Sequence, residues 1–350
     1  MTQPHPSTNP RSFLFVVAQL AAPHFDRMRA ATSLSSRAKR AICFFFAAVL
    51  ATAFLVSAKD EPTRPRILGI AAVHLYSTNF TSARDFYSKT LNPGAQCLWC
   101  EETPQQPFRV FLNKDQRLFL DPSPEPTPSN LVSEVSFAVD DLAELQKYLK
   151  AQKIKATLTK TPTLHIDAII KVDSLLSVTD PEGHRITFVR RPSQVLLAPD
   201  PAVSAANPIH LIHAGFIVHD RAATEHFYKD ILGFRPYWHG GMKEDQTDWV
   251  SMQVPDGTDW LEFMVNVSPD ADQRVRGIMN HIAIGVTDIH ETEKRLREAG
   301  APVNEAPKIG RDGKWQLNLY DPDQTRVEFM EFTPVQKPCC SDFTGPHPKP

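Results

Sequence analysis

Short runs of alternating apolar and polar residues recur along most of the chain, and stretches with helical spacing punctuate them. Ile70–Ser77 predicts a strand, followed by a helix carrying Phe86-Tyr87. Val132–Val139 predicts another strand, and Leu142–Gln152 a helix with Leu142, Leu145, Tyr148 and Leu149 on one face. Short strands then run to Arg185–Arg190. The same series returns: strand Leu211–His219, a helix carrying Phe227-Tyr228, strand His281–Val286, helix Ile289–Ala299 closed by Gly300, and a last strand Arg326–Phe332.

The chain therefore repeats itself at about 141 residues, which is visible directly in the letters. Ser82–Tyr87 matches Ala223–Tyr228, Val135–Asp141 matches Ile282–Asp288, and Thr179-Asp180-Pro181 matches Tyr320-Asp321-Pro322. The pattern predicts an α+β fold of two tandem modules, residues 67–191 and 209–333, each a pair of βαβββ units. Residues 192–208 read as a linker, and 334–350 as a Pro-rich tail with no core of its own.

Strand alternation in the second module carries the candidate chemistry. Ala214, Phe216 and Val218 share a face opposite His213; Leu261, Phe263 and Val265 oppose Glu262. Ile282, Ile284 and Val286 oppose His281, and Val327 and Phe329 oppose Glu328. A single strand His is ordinarily a satisfied polar residue, and a single strand Glu is ordinarily solvated. Four such residues, each turned away from an apolar face that takes helices, predict a cavity lined by two imidazoles and two carboxylates. That donor set suits one divalent ion, Fe²⁺, Mn²⁺, Zn²⁺ or Ni²⁺.

These motifs resemble the vicinal oxygen chelate superfamily, which includes glyoxalase I, methylmalonyl-CoA epimerase, fosfomycin and bleomycin resistance proteins, and extradiol dioxygenases. The resemblance covers about residues 67–190 and 209–333. It rests on His213 leading to Asp220 and Phe227-Tyr228, on Ile231-Leu232-Gly233-Phe234, on His281 leading to Asp288, and on Tyr320-Asp321-Pro322 leading to Glu328. It implies a curved mixed sheet around a cleft, with metal ligands on the first and last strands of each unit, where His213, Glu262, His281 and Glu328 fall. The matching positions of the first module are Ala72, Phe119, Glu134 and Thr187, which implies a structural module, a lid or a dimer surface.

Two reactions stay open. A second module armed beside a first that is not resembles the layout of extradiol dioxygenases, which use two His and one Glu. Yet no His lies between Gly300 and Glu328 to match the proton-handling residue of those enzymes. A fourth ligand at Glu262 resembles glyoxalase I and the epimerase, where a carboxylate, here Glu262 or Glu328, moves a proton beside a carbonyl while the metal stabilises enediolate charge. The alternative to an enzyme is a drug-sequestering binding module. Trp238, His239, Trp249, Trp260 and Trp315 cluster near the strands that frame the cleft and predict an aromatic wall for a small-molecule substrate. Paired glycines predict a mobile loop over Trp238–Met242.

Residues 1–58 stand apart. Arg37, Lys39 and Arg40 precede an apolar run, Ala41–Val56, that ends in small residues. This reads as a secretory signal, cleaved or kept as an anchor, with Met28 as the expected true start and an exported product. Its removal would take the formal charge from −2 to −7, which argues against nucleic acid as a partner; a monomer or homodimer is expected. Of five Cys, Cys97 and Cys100 form a lone C-x-x-C and Cys339-Cys340 are adjacent, a spacing that predicts disulfides or free thiols rather than zinc.

Overall fold

The computed structural model describes residues 62–91, 108–160, 174–190 and 209–350. The predicted signal, the linker, Cys43 and the Cys97/Cys100 pair lie outside the described residues. Among the described residues no helix is long and apolar enough to cross a membrane.

The first module contains β1 (Ile67–Ser77), α1 (Phe80–Leu91), β2 (Phe108–Phe111), β3 (Arg117–Pro122), β4 (Val132–Val139), α2 (Leu142–Ala151), β5 (Thr157–Thr159), β6 (Leu175–Thr179) and β7 (Arg185–Arg190). The second contains β8 (His210–Ile217), α3 (Arg221–Glu225, continued as a π-helical turn over His226–Ile231), β9 (Arg235–Gly240), β10 (Trp249–Gln253) and β11 (Trp260–Met264). It goes on with α4 (Gln273–Met279), β12 (His281–Val286), α5 (Ile289–Glu298), β13 (Lys308–Ile309), β14 (Trp315–Tyr320) and β15 (Arg326–Glu331).

Each module is one mixed sheet. The first runs β5-β6-β7-β4-β1-β3-β2 and the second β13-β14-β15-β12-β8-β11-β10-β9, the same order with one strand added at an edge. In both, the first strand of one unit lies antiparallel to the first strand of the other, β1 with β4 and β8 with β12. Each of these pairs in parallel with the last strand of a unit, β1 with β3, β4 with β7, β8 with β11 and β12 with β15. The four central strands of a module are thus the ones that carry the predicted ligand positions.

Local chemistry explains the repeated letters. Asp141 and Asp288 cap α2 and α5, each carboxylate accepting two amide N–H groups of the first turn. Gly300 ends the last helix with a positive φ of 71°, a conformation that disfavours a Cβ. The apolar faces of both sheets and their helices merge into one core that includes Val135, Phe137, Phe188, Phe216, Phe263 and Phe329.

The Phe-Tyr and Asp-Pro repeats are tied to each other across modules, not within them. Tyr87 of α1 donates its hydroxyl to Asp321 of the second module at 3.0 Å, and Tyr228 of α3 donates to Asp180 of the first at 3.0 Å. Both tyrosines are fully buried, so each hydroxyl needs its partner, and each such bond to a carboxyl group contributes about 1.5–3 kcal/mol. Gln116 reinforces the joint by bonding both backbone groups of Leu211.

The tail is attached to the fold in a way its composition does not show. Residues 334–350 have no core of their own but lie along the second module and borrow its core. Cys339 N–H donates to Arg311 O, Trp238 Nε1 donates to Cys339 O, and Thr344 N–H donates to Tyr237 O. Phe343 packs on Tyr237 and Trp238 because a buried aromatic surface at the sheet edge would otherwise meet water. The expected mobile loop is corrected. Trp238–Gly240 belongs to β9, and its glycines serve close packing: a Cβ on Gly240 would lie 2.3 Å from the Trp238 ring, and one on Gly241 2.1 Å from Gln246 O.

Candidate metal centre

The four central strands of the second sheet deliver His213, Glu262, His281 and Glu328 to one point. His213 Nε2 lies 3.0 Å from His281 Nε2. The Glu262 carboxylate is 4.0 Å from His213 Nε2 and 3.4 Å from His281 Nε2. Glu328 is 3.6 Å from the first nitrogen and 3.9 Å from the second. Ligand atoms placed about 2.0–2.2 Å from a common ion stand about 3–4 Å from one another, and the separations between the two imidazoles and from each imidazole to each carboxylate fall in that range, with His213, Glu262 and His281 forming one compact group.

Proton bookkeeping points to a cation. His281 Nδ1 faces Met279 O at 2.8 Å, and a carbonyl can only accept, so this nitrogen carries the proton and Nε2 offers a lone pair. Both imidazoles are fully buried, and burial is the main cause that pushes the pKa of His213 well below its ordinary value and that of His281 down to about 3. The rings are therefore neutral at physiological pH. Lone pairs of neutral imidazoles and two acids converge with few protons to share among them, an arrangement that a divalent ion satisfies. His213 Nδ1 is buried without a hydrogen-bond partner, and its ring lies 4.7 Å from that of Trp260.

The centre opens on a cavity of about 1020 Å³. Glu262 and Glu328 line it together with Trp238, Trp249, Trp260 and Tyr237 on one side and Gln316, Asn318 and Arg326 on another. Glu262 is the more open of the two acids, with 13% of its side chain exposed against 4% for Glu328. Ser251 Oγ donates to Glu262 at 3.4 Å. Gln336–Phe343 of the tail also line the cavity.

Two predicted wall residues are elsewhere. His239 is exposed and does not line the cavity, while Tyr237 and Trp238 are both buried and do, at a register shift in the β9–β10 pairing. Trp315 packs on His290 of α5 at 4.9 Å, on the helix face of its sheet. Alternation along β14 explains this: Gln316 and Asn318 face the cavity, so Trp315, Leu317 and Leu319 face the helices.

Sequence reasoning also missed Lys314, a lysine with no exposed surface. Its Nζ lies 4.8 Å above the Trp260 ring, 5.1 Å from Phe343 and 5.7 Å from Tyr237, a cation–π cage with no hydrogen-bond partner. Burial lowers its pKa to about 8 against the pull of Asp312, Glu328 and Glu262. Period-two reading of Lys314, Gln316 and Asn318 would have found it.

The first module shows how the same frame looks without ligands. Strand registers make Ala72, Phe119, Glu134 and Thr187 the counterparts of His213, Glu262, His281 and Glu328. Glu134 there accepts from Thr187 and Ser136 and pairs with Arg185 at 2.7 Å, while His74 stacks on Phe119. That acid is saturated by protein donors and has one imidazole near it, not two.

Comparison with known proteins agrees with this geometry. Residues 210–329 match the Glyoxalase/Bleomycin resistance protein/Dioxygenase superfamily. A lactoylglutathione lyase of Haemophilus influenzae is 27% identical over 125 residues, covering 35% of this chain and 93% of that protein. Among solved structures, a variant of homoprotocatechuate 2,3-dioxygenase from B. fuscum superposes with a TM-score of 0.57 at 19% identity, over 82% of this chain and 75% of that one. A catechol 2,3-dioxygenase gives 0.56 at 16% identity, over 82% and 96%. Fold, strand register and sequence motif agree on the same part of the chain: the second module, over residues 210–329, is similar to the superfamily of glyoxalases, bleomycin resistance proteins and dioxygenases.

Proposed function

We propose that the second module holds one divalent ion, Fe²⁺, Mn²⁺, Zn²⁺ or Ni²⁺, through His213, Glu262, His281 and Glu328, and that the protein is a lyase or isomerase. Its substrate is a small oxygen-rich molecule with a proton to move beside a carbonyl. The observation that carries this reading is the second acid. Glu262 stands 3.4 Å from His281 Nε2 and also faces the cavity, so a carboxylate is at hand next to the substrate. A bound divalent ion would supply Lewis acidity toward a carbonyl oxygen. Glu262, the more open acid, accepts the proton from the neighbouring carbon and returns it. Gln316 and Asn318 orient the oxygen-bearing end, and Trp238, Trp249 and Trp260 exclude water from its other side. We extend the proposal to location: the basic and apolar segment before residue 59 favours an exported protein.

A ring-cleaving dioxygenase is the second reading, favoured by the two-module layout shared with the solved dioxygenases. Against it, Tyr320 donates its hydroxyl to Glu305 at 3.1 Å and does not line the cavity, and no His lies between Gly300 and Glu328 to take the proton-handling role. A sequestering module is the third, and it has no need of four convergent ligands.

The test is purified protein reconstituted with each of the four ions and offered two substrate sets. Exchange of carbon-bound hydrogen with deuterated water, next to the carbonyl of 2-oxo aldehydes and acids, supports the lyase or isomerase. Oxygen uptake with catechols and no such exchange overturns it.

A further inference from the structure

The cavity lining contributed by the tail contains a sulfur pair that the proposed reaction does not use. Cys339 and Cys340 are joined by a disulfide between adjacent residues, and both are partly exposed. They sit where the tail is pinned to the module, with Cys339 N–H on Arg311 O and Trp238 Nε1 on Cys339 O. Cys340 has a φ of 73°, a left-handed conformation that an L residue with a Cβ disfavours. Residues on both sides of the pair, Gln336–Phe343, line the same cavity as Glu262 and Glu328.

We propose that Cys339–Cys340 is a thiol–disulfide exchange site for small dithiols, and that its redox state sets how firmly the tail is held along the cavity that Glu262 and Glu328 line. A thiolate of the incoming dithiol attacks Cys339 Sγ, the sulfur–sulfur bond breaks, and its electron pair leaves on Cys340 Sγ. The second thiol of the reagent then displaces Cys339, so the reagent leaves as a cyclic disulfide and the protein gains two electrons and two protons. Two neighbours suit this step. The Arg311 guanidinium lies 3.9 Å from Cys340 Sγ and favours a thiolate leaving group, although Glu244, which pairs with Arg311 at 3.0 Å, offsets part of that charge. Once protonated, the Cys340 thiol has an acceptor in place, Lys243 O at 3.7 Å. Opening the ring releases Cys340 from its left-handed conformation and loosens the peptide that carries the Arg311 and Trp238 bonds. The inference rests on the tail's geometry alone and stands apart from the metal reading.

Peptide mapping of the full chain, alkylated with and without prior dithiothreitol, reads the pair separately from Cys43, Cys97 and Cys100. Hydrogen exchange of residues 334–350 is then followed in both forms. We expect Cys339 and Cys340 to resist alkylation until dithiothreitol is added, and exchange at the amides of Cys339 and Thr344 to rise by about tenfold or more on reduction. A Cys339→Ser/Cys340→Ser variant should exchange like the reduced protein and ignore dithiothreitol. Alkylation of both cysteines without a reductant, equal exchange in the two redox forms, or a variant that exchanges like the oxidised protein would each overturn the proposal. If the variant does not fold, the two forms of the wild-type chain decide.

Discussion

Gly215 and His281 face each other across the antiparallel pair β8 and β12, and a Cβ on the glycine would lie 2.0 Å from Cε1 of the imidazole. The ring therefore lies flat over the backbone of the neighbouring strand, which sets Nδ1 on Met279 O and Nε2 toward His213. At the same two positions the first module has His74 and Glu134, and no second imidazole reaches the acid there. Gly215→Ala should displace His281. We expect metal affinity to fall at least about tenfold and stability by about 1–3 kcal/mol, as for other overpacked interiors. Isothermal titration with the divalent ion and denaturant melts of the apo protein check both numbers.

Glu262→Gln separates the two reaction classes. The amide keeps the shape but gives up the proton acceptor, so turnover by a lyase or isomerase should fall about 10²–10⁴-fold. His213, His281 and Glu328 remain to hold the ion, so metal content should change far less than turnover. An enzyme that kept most of its rate after this change would be using the facial set of two His and one Glu instead.

The buried imidazoles give the apo protein a defined pH response. Their folded-state pKa values lie below the ordinary value, chiefly because burial disfavours the charged ring. Their contribution to stability is thus complete above about pH 6.5 and is lost as pH falls toward about 3, where His281 titrates. His281 steepens the loss by about 1.4 kcal/mol per pH unit in that window, and His213 acts in the same direction. Urea melts between pH 4 and 7 should show a slope that His281→Gln reduces. Metal binding, which needs neutral rings, should be nearly level from about pH 5 to 7 as far as these histidines are concerned.

The aromatic wall yields a paired prediction. Trp249→Ala should raise KM by about tenfold, since removing one aromatic face from a ligand pocket costs roughly 1–1.5 kcal/mol. His239→Ala and Trp315→Phe should leave KM unchanged, because neither side chain reaches the cavity. Steady-state kinetics on the three variants tests the assignment of faces along β9 and β14.

That last contrast marks where the sequence was readable. Period-two alternation applied to β8, β11, β12 and β15 puts His213, Glu262, His281 and Glu328 on one face, and in the structure each carboxylate lies within 4.0 Å of both imidazole Nε2 atoms. Proximity in sequence to the cleft strands says nothing of the face a side chain takes, so His239 and Trp315 prove not to line the cavity, and buried Lys314 is not singled out by it. The attachment of the tail was not legible for another reason. Its composition lacks a periodic apolar face, and only the tertiary fold shows that Phe343 finds its core on Tyr237 and Trp238. Gly240 and Gly241 read as loose backbone, whereas their missing Cβ atoms leave room for Trp238 and for the backbone of Gln246. The crossed pairs Tyr87–Asp321 and Tyr228–Asp180 were visible as repeated letters but not as partners, because a repeat does not say which copy meets which.

Metal content per chain, measured by mass spectrometry on protein purified without chelators, addresses the centre itself. One equivalent of a divalent ion is predicted for the wild-type chain, less than a tenth of that for His213→Ala with His281→Ala, and no loss for His74→Ala in the first module. A wild-type chain that stays metal-free in the presence of Fe²⁺, Mn²⁺, Zn²⁺ and Ni²⁺, or a double variant that keeps its ion, would contradict the assignment.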